Sequence, residues 1–299
     1  MTSSPRRVTS DDIARIVEVR STGPQRIAEL AQTRRRPDGL AGRTGRLMLI
    51  AADHPARGAL RAGSDPLAMG DRAELLDRMV RALDRPGVDG VLGTADVLED
   101  LLLLGALDDK VVFASMNRGG LAGTVFEMDD RFTGPEASQI AAAGYQGGKM
   151  LLRIDPDDVL TAPTIEACGR AVNALAERQL CAMVEPFLSG RDAEGRVRND
   201  LSVEAVVRSA TVAAGLAGTS AYTWLKLPVI DDMEPVLAAT TLPVLLLGGD
   251  VATDQDAQRA SWAKALASPV VRGMVVGRSL LFPQDGDVES AVDATVALL

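Results

Sequence analysis

Residues 222–229, YTWLKLPV, put a lysine inside an apolar, β-prone run. Buried there as an ammonium, Lys226 is costly to desolvate, so it either finds a carboxylate or gives up its proton. An amine that has given up its proton is a nucleophile. Among the 32 Lys+Arg only four are lysines, Lys110, Lys149, Lys226 and Lys264; the rest are arginine. Guanidinium stays protonated and cannot form an imine, so a lysine kept in a strand hints at a need for a primary amine. The plainer reading is a strand-end lysine that reaches water or pairs with an acid.

This run is the sixth of eight like it. The others are RLMLIAAD (46–53), VDGVLGT (88–94), KVVFASM (110–116), GKMLLRI (148–154), LCAMVEPF (180–187), PVLLLGGD (243–250) and RGMVVGRS (272–279). Amphipathic stretches at 69–83, 97–107, 135–143, 161–178, 203–216, 233–239, 254–267 and 288–298 alternate with them, which is the signature of βα units on a parallel sheet. Eight such units in a chain of 299 residues, with no GxGxxG after the first strand, predict an α/β fold of the (β/α)8 TIM-barrel type rather than an open doubly wound sheet. Residues 1–45 read as an N-terminal helical extension and 46–299 as one barrel domain. Thr9 and Ser10 before two acids mark a helix start, 24–32 is a second amphipathic stretch, and the basic run 34–36 reads as a solvated loop.

Composition narrows the function. Hydrophobic content of 46% with 24% charged residues is that of a globular protein. A net charge of −9 argues against nucleic acid and anionic membrane surfaces as partners, while leaving room for a local cationic cluster that binds an anionic substrate. Two cysteines, Cys168 and Cys181, make no disulfide framework and fit a reduced cytoplasm. Cys181 reads as a small core residue. The N-terminus lacks the apolar core of a signal peptide, and the expected location is the cytoplasm. His54 is the only histidine, so neither a metal nor a cofactor is expected.

In a barrel, chemistry sits at the C-terminal ends of the strands. Asp53 ends the first strand, Lys149 lies early in the fourth, Glu185 ends the fifth and Lys226 lies mid-to-late in the sixth. Strand alternation groups Leu47, Leu49, Ala51 and Asp53 on one face and Cys181, Met183 and Glu185 on another, so inward-pointing faces would bring carboxylates and amines together. Such a set suits imine chemistry on a carbonyl: Lys226 attacks, Lys149 disfavours its protonated form, and Asp53 or Glu185 either moves protons or simply neutralises a lysine. Gly248 and Gly249 after the seventh strand, and Gly277, Arg278 and Ser279 after the eighth, form a candidate phosphate site of backbone amides and a guanidinium. His54 is a candidate for a substrate hydroxyl, Arg118 in NRGGLAG for a substrate clamp, and Tyr222 and Trp224 either wall the pocket or fill the barrel. The pairs Asp129–Asp130, Asp157–Asp158 and Asp231–Asp232 read as caps or solvated loops, with most interest in the last.

AADHPARG, GKMLLRI, MVEPF, YTWLKLP, LLLGGD and GMVVGRSLL together resemble the class I aldolase superfamily of deoxyribose-phosphate, tagatose-bisphosphate and archaeal-type fructose-bisphosphate aldolases, over roughly residues 46–282. The resemblance implies a Schiff-base lysine at Lys226, an acid/base carboxylate at Asp53, a strand-four lysine at Lys149, and phosphate near Gly249, Gly277 and Arg278. It also marks Arg57, in the basic loop after Asp53, as a substrate contact. Glu185 matches the strand-five glutamate of the tagatose-bisphosphate branch, whereas the archaeal-type fructose enzymes are expected to use a tyrosine in this region. The chain is also similar to an aldolase-like branch tied to inositol breakdown, whose implied substrate is 6-phospho-5-dehydro-2-deoxygluconate. The expected function is thus a lyase, a metal-independent Schiff-base aldolase of a phosphorylated keto sugar or sugar acid, in a homo-oligomer. The rivals are a barrel isomerase or epimerase and a non-catalytic sugar-phosphate-binding paralogue.

Overall fold

The computed structural model describes residues 6–40, 42 and 44–299; residues 1–5, which bear on the signal-peptide reading, lie outside them. Helices α1 (Ser10–Thr22) and α2 (Gln25–Thr33) lead into β1 (Leu47–Ala52). Thr9 and Asp12 close a reciprocal capping box on α1, satisfying backbone donors that a helix start leaves open. Then come α3 (Arg72–Leu83), β2 (Gly90–Gly93), α4 (Ala95–Leu103), β3 (Val111–Ser115), α5 (Ala137–Ala142), β4 (Gly147–Ile154), α6 (Thr161–Ala176) and β5 (Cys181–Arg191). A short strand, β6 (Val197–Asn199), precedes α7 (Val203–Ala214), β7 (Thr223–Pro228), α8 (Glu234–Ala238), β8 (Val244–Leu247), α9 (Gln255–Leu266), β9 (Val271–Val276), α10 (Arg278–Leu281) and α11 (Val288–Val296).

Eight strands pair in parallel around a closed ring, with β1 bonded to both β2 and β9, and β5 bonded to both β4 and β7. The expected (β/α)8 barrel is therefore the fold. Each strand is buried on two faces, which is why it reads as a continuous apolar run. One face fills the lumen with Leu47, Leu49, Ala51, Phe113, Cys181 and Met183, while the other packs under the helices. The β9–β1 seam is tight: a Cβ at Gly273, whose φ is +139°, would stand 2.0 Å from the Leu47 carbonyl oxygen, so only glycine fits.

Two sequence expectations change. The fifth strand does not end at Phe187 but runs to Arg191 and turns back through β6, antiparallel to it. The 34–36 run is not all solvated loop. Arg34 is buried, and its guanidinium donates to the carbonyl oxygens of Leu107 and Lys110, both at 3.1 Å, and of Gly144 at 2.8 Å. These lie just before β3 and β4, so one side chain ties the extension to the base of the barrel. Arg35, beside it, is exposed and pairs with Asp108 and Asp109. Arg34→Ala strands those buried carbonyls, and urea unfolding should show a loss of about 2–3 kcal/mol, read as a lower midpoint at unchanged slope.

Candidate active site

The lumen floor of β1 and β5 continues upward, by the alternation of a strand, into charge. Above Ala51 comes Asp53, and above Met183 comes Glu185, while β4 and β7 contribute Lys149 and Lys226. All four are buried, with exposures of 2% for Asp53 and Lys149, 3% for Lys226 and 8% for Glu185. Lys226 Nζ donates to Glu185 Oε1 at 2.8 Å, and Lys149 Nζ stands 2.5 Å from Glu185 Oε2 and 3.1 Å from Asp53 Oδ2. The four groups form one chain in the order Asp53, Lys149, Glu185, Lys226. Of the two fates open to a buried Lys226, it has found a carboxylate.

Arg118 and Ser115 complete the Asp53 end. Ser115 Oγ donates to Asp53 Oδ2 at 3.1 Å, and the Arg118 guanidinium contacts both Asp53 Oδ2 and Ser115 Oγ. Burial pushes the Glu185 carboxyl up, but Lys149 and Lys226 outweigh it and hold the group well below the usual carboxylate range. Burial takes the Lys149 ammonium well below its ordinary 10.5; Glu185 pulls back, while Lys226, Arg118 and Arg57 push further down. Burial also lowers Arg118 to about 10. His54 falls to about 3 through burial and the nearby charges of Arg278, Lys226 and Lys149, so its imidazole is neutral at pH 7. Its Nδ1, 3.8 Å from Asp53 Oδ1, has no hydrogen-bond partner.

The remaining candidates divide between the mouth and the scaffold. His54 and Arg278 keep side-chain exposures of 26% and 20%, which places the opening at the β1 and β9 ends. Gly277 lies against the same place: a Cβ there would be 2.4 Å from the Ala51 carbonyl oxygen and 3.3 Å from His54 Cε1. Gly249 takes a left-handed φ of +70°, and a Cβ on Gly248 would meet Val276 and Ser279 Oγ. Ser279 Oγ is buried without a partner, and Arg278 Nη1 pairs with Asp250 at 3.0 Å. Arg57 is scaffold. Its guanidinium forms an ion pair with Asp130 Oδ2 at 2.5 Å, and its Nη groups donate to the Asn117 carbonyl at 2.7 Å and the Gly120 carbonyl at 3.0 Å, all in or near the β3–α5 loop.

Trp224 packs against the lumen cluster and Tyr222 lies on the surface before β7, so neither walls the charged site. Cys181 is buried among apolar neighbours, which push its thiol up, as a core cysteine should be. Asp231 and Asp232 are exposed, whereas Asp130 is 1% exposed and paired with Arg57, against the reading of its pair as a cap or solvated loop. Sequence reasoning passed over Ser115 and Asn117. Ser115 was within reach, because Val111 and Phe113 share its parity and fill the lumen, just as Ala51 precedes Asp53. Asn117 exchanges hydrogen bonds with the backbone of Leu151, at 2.9 and 2.6 Å, as a further strand residue would; nothing in the sequence signals that. Among the described residues, no three His, Cys, Asp or Glu side chains gather as metal ligands do, and no helix is long and apolar enough to cross a membrane.

Fold and site define a class: a TIM barrel with a buried lysine–carboxylate chain on the face where barrel enzymes place their chemistry. Within that class the chain belongs to the Cgl0159-like family, whose model matches residues 45–296. It is similar to the crystal structure of Cgl0159 from Corynebacterium glutamicum, with 51% identity over 97% of both chains and a TM-score of 0.94. An archaeal fructose 1,6-bisphosphate aldolase shares the fold at 19% identity and a TM-score of 0.63, over 91% of this chain and 98% of that one. Another, solved with its catalytic lysine covalently bound to the carbinolamine intermediate of the substrate, stands at 18% and 0.64 over the same shares. No curated protein matches the chain.

Glu185→Gln leaves two buried amines sharing no anion, and the folded state should lose about 3–5 kcal/mol at neutral pH. Because the folded-state pKa of Glu185 is depressed, its contribution is present above the ordinary carboxyl value of 4.5 and lost as pH falls below it. Denaturant unfolding of both chains from pH 7 to pH 3 should show the gap narrowing below that value.

Proposed function

We propose that the protein is a class I aldolase acting on a phosphorylated keto sugar or sugar acid. The observation that carries the reading is the pair of lysines sharing one buried carboxylate, level with the C-terminal ends of β1 and β3 and beside a second carboxylate. In this reading Lys226 passes a proton to Glu185 and its nitrogen adds to the substrate carbonyl, giving a carbinolamine. The carbinolamine hydroxyl takes a proton and leaves as water, and the iminium that remains draws electrons from the bond between the carbons α and β to it. Asp53 or Glu185 takes the proton of the hydroxyl on the β-carbon. The C–C bond then breaks, its electron pair moves into an enamine, and an aldehyde departs. Protonation at carbon and addition of water release the ketone and restore the amine.

Arg118 and Ser115 hold Asp53 in place for this work, and neutral His54 offers one nitrogen as donor and the other as acceptor to a substrate hydroxyl. The phosphate of the substrate would lie at the mouth, against the backbone of Gly248, Gly249 and Gly277 with Arg278, where the unpartnered Ser279 hydroxyl is a further donor. A second assignment is favoured by the depressed basicity of Lys149: that amine is readily neutral, and the roles of the two lysines could be exchanged.

Borohydride in the presence of phosphorylated ketoses should fix a reduced adduct whose mass reports the substrate and whose peptide reports the lysine. The expected peptide carries Lys226; an adduct on Lys149 selects the exchanged roles, and turnover without an adduct in either place removes the Schiff base. Lys226→Met should abolish both adduct and turnover. Asp53→Asn should keep the adduct and slow turnover by about 10²–10⁴. Arg278→Ala should raise KM for a phosphorylated substrate by about tenfold or more with little change in kcat, since an ionic hydrogen bond common to ground and transition states is lost.

A further inference from the structure

The β5–β6 hairpin projects from the barrel, and β6 is paired to β5 on one side and ends the sheet on the other. In its ladder the Asp200 N–H donates to the Leu188 carbonyl at 2.8 Å and the Asp192 N–H to the Arg196 carbonyl at 2.9 Å. Antiparallel alternation therefore turns the backbone groups of Arg196, Arg198 and Asp200 towards β5 and those of Val197 and Asn199 outward. Outward-facing donors and acceptors on an edge strand are a template for another strand.

The sequence of that edge suits one strand above others, which is itself. From Val197 to Leu201 it runs apolar, cation, amide, anion, apolar. Laid antiparallel on a second copy about Asn199, it sets Arg198 against Asp200, Val197 against Leu201 and Asn199 against its own equivalent. Opposite charges placed directly across a strand pair are stabilising, and this arrangement makes two such pairs by symmetry. Arg198, Asn199 and Asp200 are exposed, and Leu201 is 52% exposed. Arg198 meets Asp192 through Nε, and Asp200 meets the Ser202 N–H through Oδ1. The Nη groups and Oδ2 are left to meet across the axis. Beside the hairpin stand Val125 and Val159, the most exposed large apolar side chains among the described residues, linked to it by Arg191, which donates to the Val125 carbonyl at 2.8 Å and lies 3.9 Å from Asp158.

We infer that two copies of this chain associate through β6, their hairpins merging into a four-stranded antiparallel sheet across a twofold axis at Asn199. Sedimentation velocity of the full chain should show a dimer or an assembly of dimers. Arg198→Asp sets acid against acid twice and should weaken the association roughly tenfold or more. Adding Asp200→Arg to the same chain restores opposite charges and should restore it. Oxidation of an Asn199→Cys chain should give a disulfide-linked dimer on a non-reducing gel. Residues exchanging hydrogen bonds at such an axis have Cα atoms about 5.5 Å apart, within reach of a disulfide, and Cys168 and Cys181 are buried and do not compete. A monomeric wild-type chain overturns the inference, as does association that Arg198→Asp leaves untouched or an Asn199→Cys chain that stays uncrosslinked. None of these readings depends on catalytic turnover.

Discussion

Glu185 lies between two lysine amines inside a closed barrel, and the rest of the molecule is arranged to make that tolerable. A charge taken out of water is held only by close opposite charge and hydrogen bonds, and the lumen below, filled by Leu49, Phe113 and Met183, offers neither. The charged groups must come from four different strands or the residues just after them. Closing the ring of strands is what brings Asp53, Lys149, Glu185 and Lys226 within a few ångströms, although 173 positions separate the first from the last. Lys149, Lys226 and Arg118 face Asp53 and Glu185, with His54 neutral beside them. A chain of net charge −9 thus gathers basic side chains at one end of its barrel.

Support for this arrangement is itself charged and itself buried. Arg57 and Asp130 hold the loop after β3 to the loop after β1, and Glu127 pairs with Arg153 at 2.9 Å behind them. Asn117 extends the pairing of β3 with β4 past the end of the strand. Together these contacts fix the loop from which Arg118 reaches Asp53. A guanidinium on a glycine-rich segment is held in place by ion pairs that never touch the opening.

Alternation is a local property, and what depends on it was legible in the sequence. Eight apolar runs separated by amphipathic ones imply the barrel, and the parity of Leu47, Leu49 and Ala51 carries directly to Asp53. The same rule applied to Val111 and Phe113 leads to Ser115. Contacts between loops obey no such rule. The partnership of Arg57 with Asp130 spans 73 positions without a pattern, so a basic residue after Asp53 read as a substrate contact when its donors serve the scaffold. Arg34 misled for the same reason, since its carbonyl partners leave no trace in composition. The hairpin hid differently: β5 keeps its strand character beyond the ring, and the point at which a strand leaves its barrel is decided by its neighbours.

The seam between β1 and β9 has a temporal meaning. Asp53 and His54 are made more than 220 residues before Gly277 and Arg278 on the other lip of the same opening. Until then β1 has one flank without a neighbour, and Leu47 meets water where it will later touch Gly273. A nascent barrel of this kind holds an unsatisfied apolar edge until β9 emerges, so its exposure to misassembly belongs to the growing chain rather than to the closed one.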